Sequence, residues 1–205
     1  MEFLHILKEK SNKPLVTVHA GCCNTQPNSR ESIVAAYNSP ADIVEVDVRA
    51  SLDKQIFLMH DENLDFPSSE KIAMDNLSWK EIQYIVNSRQ QDNLLSFDNF
   101  CDLIEELDGF ILQNQSLKKP FFNLDIKSIS VLQAIAIKVR SRKIDNRIIF
   151  SGLDEEGIAL AHNYIPDMVY LFNADTFLSE ESALQNIEDR IENVCSIALR
   201  YGCKG

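Results

Sequence analysis

The 205 residues, 45% of them hydrophobic and 25% charged, have the profile of one soluble globular domain with a substantial core, so the chain is read as a single domain over 1–205. A net charge of −11, with no basic stripe interleaved with aromatics, excludes a nucleic-acid-binding surface, and KVRSRK at 138–143 reads as a solvated helix end. No apolar run approaches membrane-spanning length and MEFLHILKEKSNK lacks the design of a signal peptide, so no membrane insertion and a cytoplasmic location are expected.

Five cysteines, an odd number with Cys22 and Cys23 adjacent, read as reduced thiols, and their spacings miss the paired pattern of a structural zinc site. In chain order, residues 1–13 read as a short amphipathic helix with Phe3, Leu4 and Leu7 on one side. Pro14 ends it, and LVTVHA at 15–20 reads as a buried strand that finishes at His19. A polar loop through Gly21, Asn24, Pro27 and Asn28 leads to a helix over Glu31–Tyr37, capped by Ser29 or Asn28. Two more strands follow, Ile43–Val48 and Ile56–Met59, separated by the turn-like Ser51-Leu52-Asp53-Lys54. Residues 62–76 read as irregular. Helices are expected over Trp79–Asn87, where Ser78 and Glu81 complete a capping box, and over Phe97–Leu107. Pro120 introduces a strand at 121–128. Helix 129–142, strand 147–152, helix 154–164, strand 168–174, helix 179–191 and strand 196–201 then alternate.

Strands alternating with helices at this spacing imply right-handed parallel βαβ units, and the chain supplies seven strands. Polar residues close several successive strands rather than clustering at one switch point. The expected fold is therefore α/β, a (β/α)8 TIM barrel lacking its eighth strand. Such barrels typically need about 250 residues, so the chain is read as a C-terminally truncated or shortened form. The open edge between the seventh and first strands invites pairing with a second copy, and a homo-oligomer is expected.

Within Ala41–Asp61, Glu45 and Asp47 interrupt a valine-rich strand. Alternation points both to one face and Val44, Val46 and Val48 to the other. Two carboxylates aimed together in a buried strand repel each other unless a cation lies between them. Functional groups of a parallel barrel gather at the C-terminal strand ends, where the sequence places His19, Glu45 with Asp47, His60, and Asp125 with Lys127. With these four strands consecutive, and neighbours about 4.8 Å apart, the two histidines straddle the acids of the second strand at roughly 10 Å. Three carboxylates favour a hard cation, Mg2+ or Ca2+. Lys127 adds positive charge against a developing oxyanion, and two histidines on opposite sides divide the proton work, which suits attack on a phosphodiester. Singly, a strand-end histidine reads as a hydrogen-bonded structural residue, and Asp125 with Lys127 as an internal salt bridge. Convergence of six such residues on four strand ends is what marks a site.

The series His19, EVD at 45–47, HD at 60–61 and DIK at 125–127 resembles the glycerophosphodiester phosphodiesterase family, whose members are metal-dependent (β/α)8 barrels of the phospholipase C-like type. The likeness extends to ESIVAAY at 31–37 and IIFSGLDEEGIALAHNYIPD at 148–167. The spacings of 41 residues from His19 to His60 and 26 from His19 to Glu45 are close to the family's. The resemblance implies Glu45, Asp47 and Asp125 as metal ligands, His19 and His60 as the acid–base pair, and Lys127 as a phosphate-stabilising cation. The implied reaction releases glycerol 3-phosphate and an alcohol from a small-molecule glycerophosphodiester, through a cyclic phosphate formed by the glycerol's own neighbouring hydroxyl.

The departures are specific. Ala20-Gly21 stands where the family has arginine and glycine, and Ser29-Arg30-Glu31-Ser32 replaces its Pro-Glu-Asn-Thr, so Arg30 is expected to reach back to the phosphate. Asp125 replaces the usual glutamate, and Trp79 is expected to serve packing rather than to substitute for the tryptophan of the family's eighth strand. Two other functions stay open: a catalytically weak relative that binds a phosphorylated ligand, and a lysophospholipid-directed phospholipase of the same barrel type.

Overall fold

A computed structural model of the chain describes residues 14–65, 71–88, 94–113, 119–175 and 187–204. The first half contains β1 (Thr17–Val18), α1 (Arg30–Tyr37), β2 (Ile43–Ala50), β3 (Ile56–Leu58), β4 (Asn63–Asp65), β5 (Lys71–Ala73), α2 (Trp79–Ser88) and α3 (Phe97–Gln113). The second half contains β6 (Phe121–Ile126), α4 (Leu132–Ser141), β7 (Ile148–Leu153), α5 (Glu155–Tyr164), β8 (Val169–Phe172) and α6 (Ile187–Tyr201). β1, β2, β6, β7 and β8 lie side by side in that order, all parallel, while β3 runs antiparallel to the end of β2. β4 and β5 form a separate antiparallel ribbon. Among the described residues no helix is long and apolar enough to cross a membrane.

Side-chain alternation divides the sheet into two faces that differ in chemistry. One carries Val44, Val46, Val48, Phe122, Leu124 and Phe150, and packs with Ile33 of α1, Phe100 and Ile104 of α3, Ile135 of α4 and Ile158 of α5 in one buried cluster. Each of these large side chains is removed from water, a contribution of about 1.5–3 kcal/mol apiece. The other face begins with an apolar layer of Ile43, Phe121, Ile149 and Val169 at the start of the strands. One step along, the register sets Glu45 beside Asn123, and the next step sets Asp47 beside Asp125 and Asp125 beside Ser151. The inner face thus turns from apolar to acidic along the strand direction.

Local signals explain the helix starts. Ser29 caps α1 through a reciprocal pair in which Ser32 N–H donates to Ser29 Oγ and Ser29 N–H donates to Ser32 Oγ, both at 3.1 Å. Ser78 and Glu81 form the expected box at α2, with Ser78 N–H donating to Glu81 Oε2 at 2.8 Å. Asp154 caps α5 by accepting from Gly157 N–H at 2.9 Å. At the opposite end of the sheet from the acids, Arg147 donates to Asp108 at 2.7 Å and to the Pro120 carbonyl at 3.2 Å, and Tyr37 donates to the same Asp108 at 3.1 Å.

Three expectations are corrected. The strand expected over 56–59 does not join the parallel array, because the four-residue turn Ser51–Lys54 is far shorter than the dozen or more residues that a parallel crossover needs. Lys54 closes that turn at φ +62°, and its N–H donates to Ser51 O at 2.9 Å. Consequently β6, not β3, is the next parallel strand beside β2, and the parallel strands among the described residues number five rather than seven. Residues 196–201, expected as a strand, continue α6. Ile197 is 6% exposed and Leu199 81%. In a strand these two would share a face, whereas in a helix they diverge. Residues 62–76, expected as irregular, contain the β4–β5 ribbon. That ribbon and α2 enclose a satellite cluster of Phe57, Leu64, Met74, Ile82 and Val86, with Trp79 stacked on Phe57 at 5.2 Å between ring centroids. The helix expected over 1–13 and the first part of that over 179–191 lie outside the described residues.

Candidate active site

The acids come from two adjacent strands held in register. Oxygens of Glu45, Asp47 and Asp125 all lie within 4.8 Å of one another, with Glu45 only 4% and Asp47 1% exposed. Lys127 follows β6 and places Nζ 2.6 Å from Asp125 Oδ2 and 3.2 Å from Asp47 Oδ1. Burial pulls this ammonium down, but the hydrogen bonds and charges of Asp125 and Asp47 outweigh it and hold Lys127 above the ordinary lysine value. For Glu45 burial works in the opposite sense and raises the carboxyl, and the neighbouring Asp47 charge adds to the rise. Glu45 Oε1 is buried and has no hydrogen-bond partner among the described residues.

The segment between β1 and α1 reaches over the cluster and grips it. Ala20 N–H donates to Glu45 Oε2 at 2.7 Å, and His19 Nε2 lies 3.8 Å from the same oxygen. Asn28 donates from Nδ2 to Asp47 Oδ2 at 2.8 Å and accepts from Asp47 N–H at Oδ1 at 2.9 Å. Asn28 N–H closes the loop on Ala20 O at 2.7 Å. Ala20, Cys23, Asn24 and Asn28 all have φ between +51° and +60°. The left-handed region costs a non-glycine residue about 1–2 kcal/mol, less for asparagine, so this conformation is held by its bonds to the strand.

His60 arrives by a different route from that expected. β2 runs beyond β6, turns, and returns as β3, where Met59 N–H donates to Asp47 O at 3.1 Å. His60 therefore comes back to the level of the acids, exposed, with Nδ1 3.1 Å from Asp61 Oδ1. Arg49 clamps its backbone, donating from Nε at 3.0 Å and from Nη2 at 2.8 Å to the His60 carbonyl. His19 and His60 both line one cavity of about 550 Å³, walled by residues 19–22 and 24–28 on one side and Met59, His60 and Asp61 on the other.

Of the residues singled out from sequence, Glu45, Asp47, Asp125 and Lys127 are in direct contact or within a few ångströms, His19 joins them through Glu45, and His60 faces the same cavity. Arg30 is not brought to this group: its guanidinium donates to Glu106 Oε2 at 2.8 Å on the exposed faces of α1 and α3. Sequence reasoning missed Asn28, the Ala20 N–H, Arg49 and Gly152. Gly152, at φ +71°, leaves the room that Asp125 uses, since a Cβ there would fall 2.1 Å from Asp125 Oδ1. A Ser-Gly pair in the middle of an apolar strand was the available signal for the last of these.

Residues 19–178 match the model of the glycerophosphoryl diester phosphodiesterase family. An uncharacterized protein of Mycoplasma genitalium is 26% identical over 165 residues, which cover 72% of this chain, and the chain spans 62% of that relative's length. Among solved structures, a glycerophosphodiester phosphodiesterase of Thermotoga maritima is similar at a TM-score of 0.59 and 19% identity, covering 90% of this chain and 71% of that one. A putative glycerophosphodiester phosphodiesterase of Galdieria sulphuraria aligns with a TM-score of 0.65 at 16% identity, and a putative glycerophosphoryl diester phosphodiesterase of Agrobacterium tumefaciens with 0.68 at 12%. Both alignments cover 94% of this chain and 74% of the other. At these identities the likeness establishes the fold, an α/β architecture of the TIM-barrel type, and among the described residues five parallel strands form its sheet.

Proposed function

The chain belongs to the glycerophosphoryl diester phosphodiesterase family, and on that premise we propose that it hydrolyses a small glycerophosphodiester to glycerol 3-phosphate and an alcohol. The observation that carries the proposal is the convergence of Glu45, Asp47 and Asp125 within 4.8 Å beside a cavity lined by two histidines. The donor set is all carboxylate oxygen, and Glu45 Oε1 is buried without a partner among the described residues, so these residues fit a hard divalent cation, Mg2+ or Ca2+. When bound there, such a cation supplies Lewis-acid stabilisation of the phosphoryl oxygens.

The protein groups divide the remaining work. Lys127, held between Asp125 and Asp47, presents a fixed positive charge to the phosphoryl group as negative charge grows on it. One histidine takes the proton of the glycerol hydroxyl as its oxygen attacks phosphorus, and the other gives a proton to the departing alkoxide, leaving a cyclic phosphate. Water then opens that ring with the two proton roles reversed. His60, with its carbonyl clamped by Arg49 and its ring against Asp61, is the more restrained of the pair. Arg30 is engaged by Glu106, so phosphate binding is assigned to Lys127.

The test is turnover of an aryl phosphodiester by the purified chain with Mg2+, with Ca2+ and with EDTA, alongside His19→Ala and His60→Ala. Metal-dependent turnover that falls about 10²–10⁴-fold in each histidine variant is expected. A chain that binds glycerol 3-phosphate but shows no metal-dependent turnover belongs instead to the phospho-ligand-binding reading.

A further inference from the structure

Two adjacent thiols sit in the loop that grips the acids. Cys22 is half-buried and lines the cavity shared by His19 and His60, and Cys23 is exposed. Burial raises the Cys22 thiol, and the neighbouring Cys23 adds to the rise. The Cys22 carbonyl accepts from Thr25 N–H at 3.0 Å and from Thr25 Oγ1 at 2.5 Å, so the pair is built into the bend of the loop rather than hung on its surface. Phosphodiester hydrolysis uses no thiol, and nothing in the proposed mechanism requires either residue.

We infer that Cys22 and Cys23 form a vicinal thiol pair that small-molecule disulfides oxidise, and that closing it disables the site by unseating loop 20–28 from Glu45 and Asp47. Exposed Cys23 is the point of entry. Its sulfur attacks the external disulfide, whose S–S bond breaks as a mixed disulfide forms, and the first thiol leaves with the Cys23 proton. The Cys22 sulfur then attacks the Cys23 sulfur, forming the Cys22–Cys23 bond, and the second external thiol leaves with the Cys22 proton. Two protein thiols lose two electrons and one external disulfide becomes two thiols, so the exchange balances.

Joining adjacent residues closes an eight-membered ring that contains the planar 22–23 peptide bond, and the backbone must rotate to accommodate it. Ala20 stands two residues upstream, its N–H on Glu45 Oε2 and its carbonyl accepting from Asn28, while Asn28 holds Asp47 at both ends of its amide. The rotation is thus transmitted to both carboxylates of β2. Strain in the ring favours ready reduction, which makes the closure reversible. Cys101 lies in the core, and Cys195 and Cys203 lie on and just beyond α6, outside this loop.

The full chain treated with glutathione disulfide tests the inference by non-reducing peptide mapping, by amide exchange at Ala20 and Asn28, and by aryl phosphodiester turnover. A Cys22–Cys23 link without retained glutathione is expected, with faster exchange at both amides and full reversal by dithiothreitol. Turnover, the arm that rests on the phosphodiesterase reading, should fall about 10²-fold, the scale of a 1 Å misplacement of reacting groups. Cys22→Ser should stop at a single glutathione adduct on Cys23, and Cys23→Ser should acquire no adduct in this loop. Both thiols remaining free, or a link that leaves exchange at Ala20 and Asn28 unchanged, overturns the inference. Mapping and exchange do not depend on turnover, so a chain inert before oxidation counts against the phosphodiesterase reading alone.

Discussion

Replacing Asn28 separates the two ways in which its loop supports the acidic strand, hydrogen bonding and backbone conformation. The side chain bridges Asp47 Oδ2 at 2.8 Å and Asp47 N–H at 2.9 Å, and its φ is +58°. Asn28→Gly keeps that conformation accessible and removes both bonds. The buried Asp47 N–H then lacks a partner, which costs about 1–3 kcal/mol, and the bond lost to a charged acceptor is of a class worth about 1.5–3 kcal/mol. The two losses share one side chain and water enters the vacated space, so they do not add fully and a net loss of about 2–3 kcal/mol is expected. In a chain of this length each kcal/mol moves Tm by about 2–4 °C, which places the Asn28→Gly melt about 4–12 °C below wild type. Asn28→Ala adds the left-handed penalty of an alanine, about 1–2 kcal/mol more. Urea denaturation and thermal melting measure both variants. If both stay within about 0.5 kcal/mol of wild type, the range of an ordinary surface substitution, the account of the loop as a clamp on Asp47 is refuted.

Gly152→Ala should displace Asp125, because the new Cβ meets Asp125 Oδ1 at 2.1 Å and φ is +71°; turnover is expected to fall about 10²-fold, and wild-type kinetics would show that Asp125 is not constrained by β7. Arg49→Met removes both donors from the His60 carbonyl, so kcat should fall with KM little changed if the clamp positions His60 for proton transfer, whereas an equal change in both would mark a general loss of structure. Burial pushes the Cys101 thiol from 9.0 to about 12 and also raises the Tyr37 hydroxyl, with the Asp108 charge adding to burial there. Both folded-state values lie above the unfolded ones, so the stability they contribute is complete below about pH 9 and is lost as pH climbs toward 12, by up to about 1.4 kcal/mol per pH unit for each group. The urea midpoint should therefore decline between about pH 9 and 11 and decline less steeply in Cys101→Ala; a midpoint that is flat over this range contradicts the burial argument.

What could be read from the chain tracks how local each cause is. The pairing of Glu45 with Asp47 and of Asp125 with Lys127 follows from strand alternation alone, and both pairs face inward as the period requires. The position of His60 depends on the length of a turn, and reading Ile56–Met59 by composition overlooked that four residues cannot cross over a sheet. The run at 196–201 fits either period over six residues; the spacing of Val194, Ile197, Ala198 and Tyr201 at i, i+3, i+4 and i+7 over the longer segment distinguishes helix from strand. Asn28 escaped notice as a site residue because its partner is 19 positions away, and no local pattern announces a side chain that spans a strand backbone and its carboxylate at once. The placement of Arg30 depends on a tertiary contact as well, since Glu106 lies 76 residues further on and pairs with the guanidinium on the exposed side of the helices.

The acidic layer makes sense as a site prepared in advance. Ionised, the three carboxylates carry three negative charges, and Lys127 contacts two of them with one positive charge, so two negative charges are left over, the charge of one divalent cation. The chain fixes an oxygen of every member: Ala20 N–H holds Glu45 Oε2, Asn28 holds Asp47 Oδ2, and Lys127 holds Asp125 Oδ2. Each bond removes rotamer freedom before any ligand arrives, and ordering a side chain on binding otherwise costs about 0.5–1.5 kcal/mol. Among the described residues Glu45 Oε1 has no hydrogen-bond partner, and an unpaired buried acceptor is destabilising in the folded chain. A hard cation bound by these three residues would relieve that cost and would meet ligands already oriented by the chain, and its binding would then be coupled to the stability of the loop and strands that build the site.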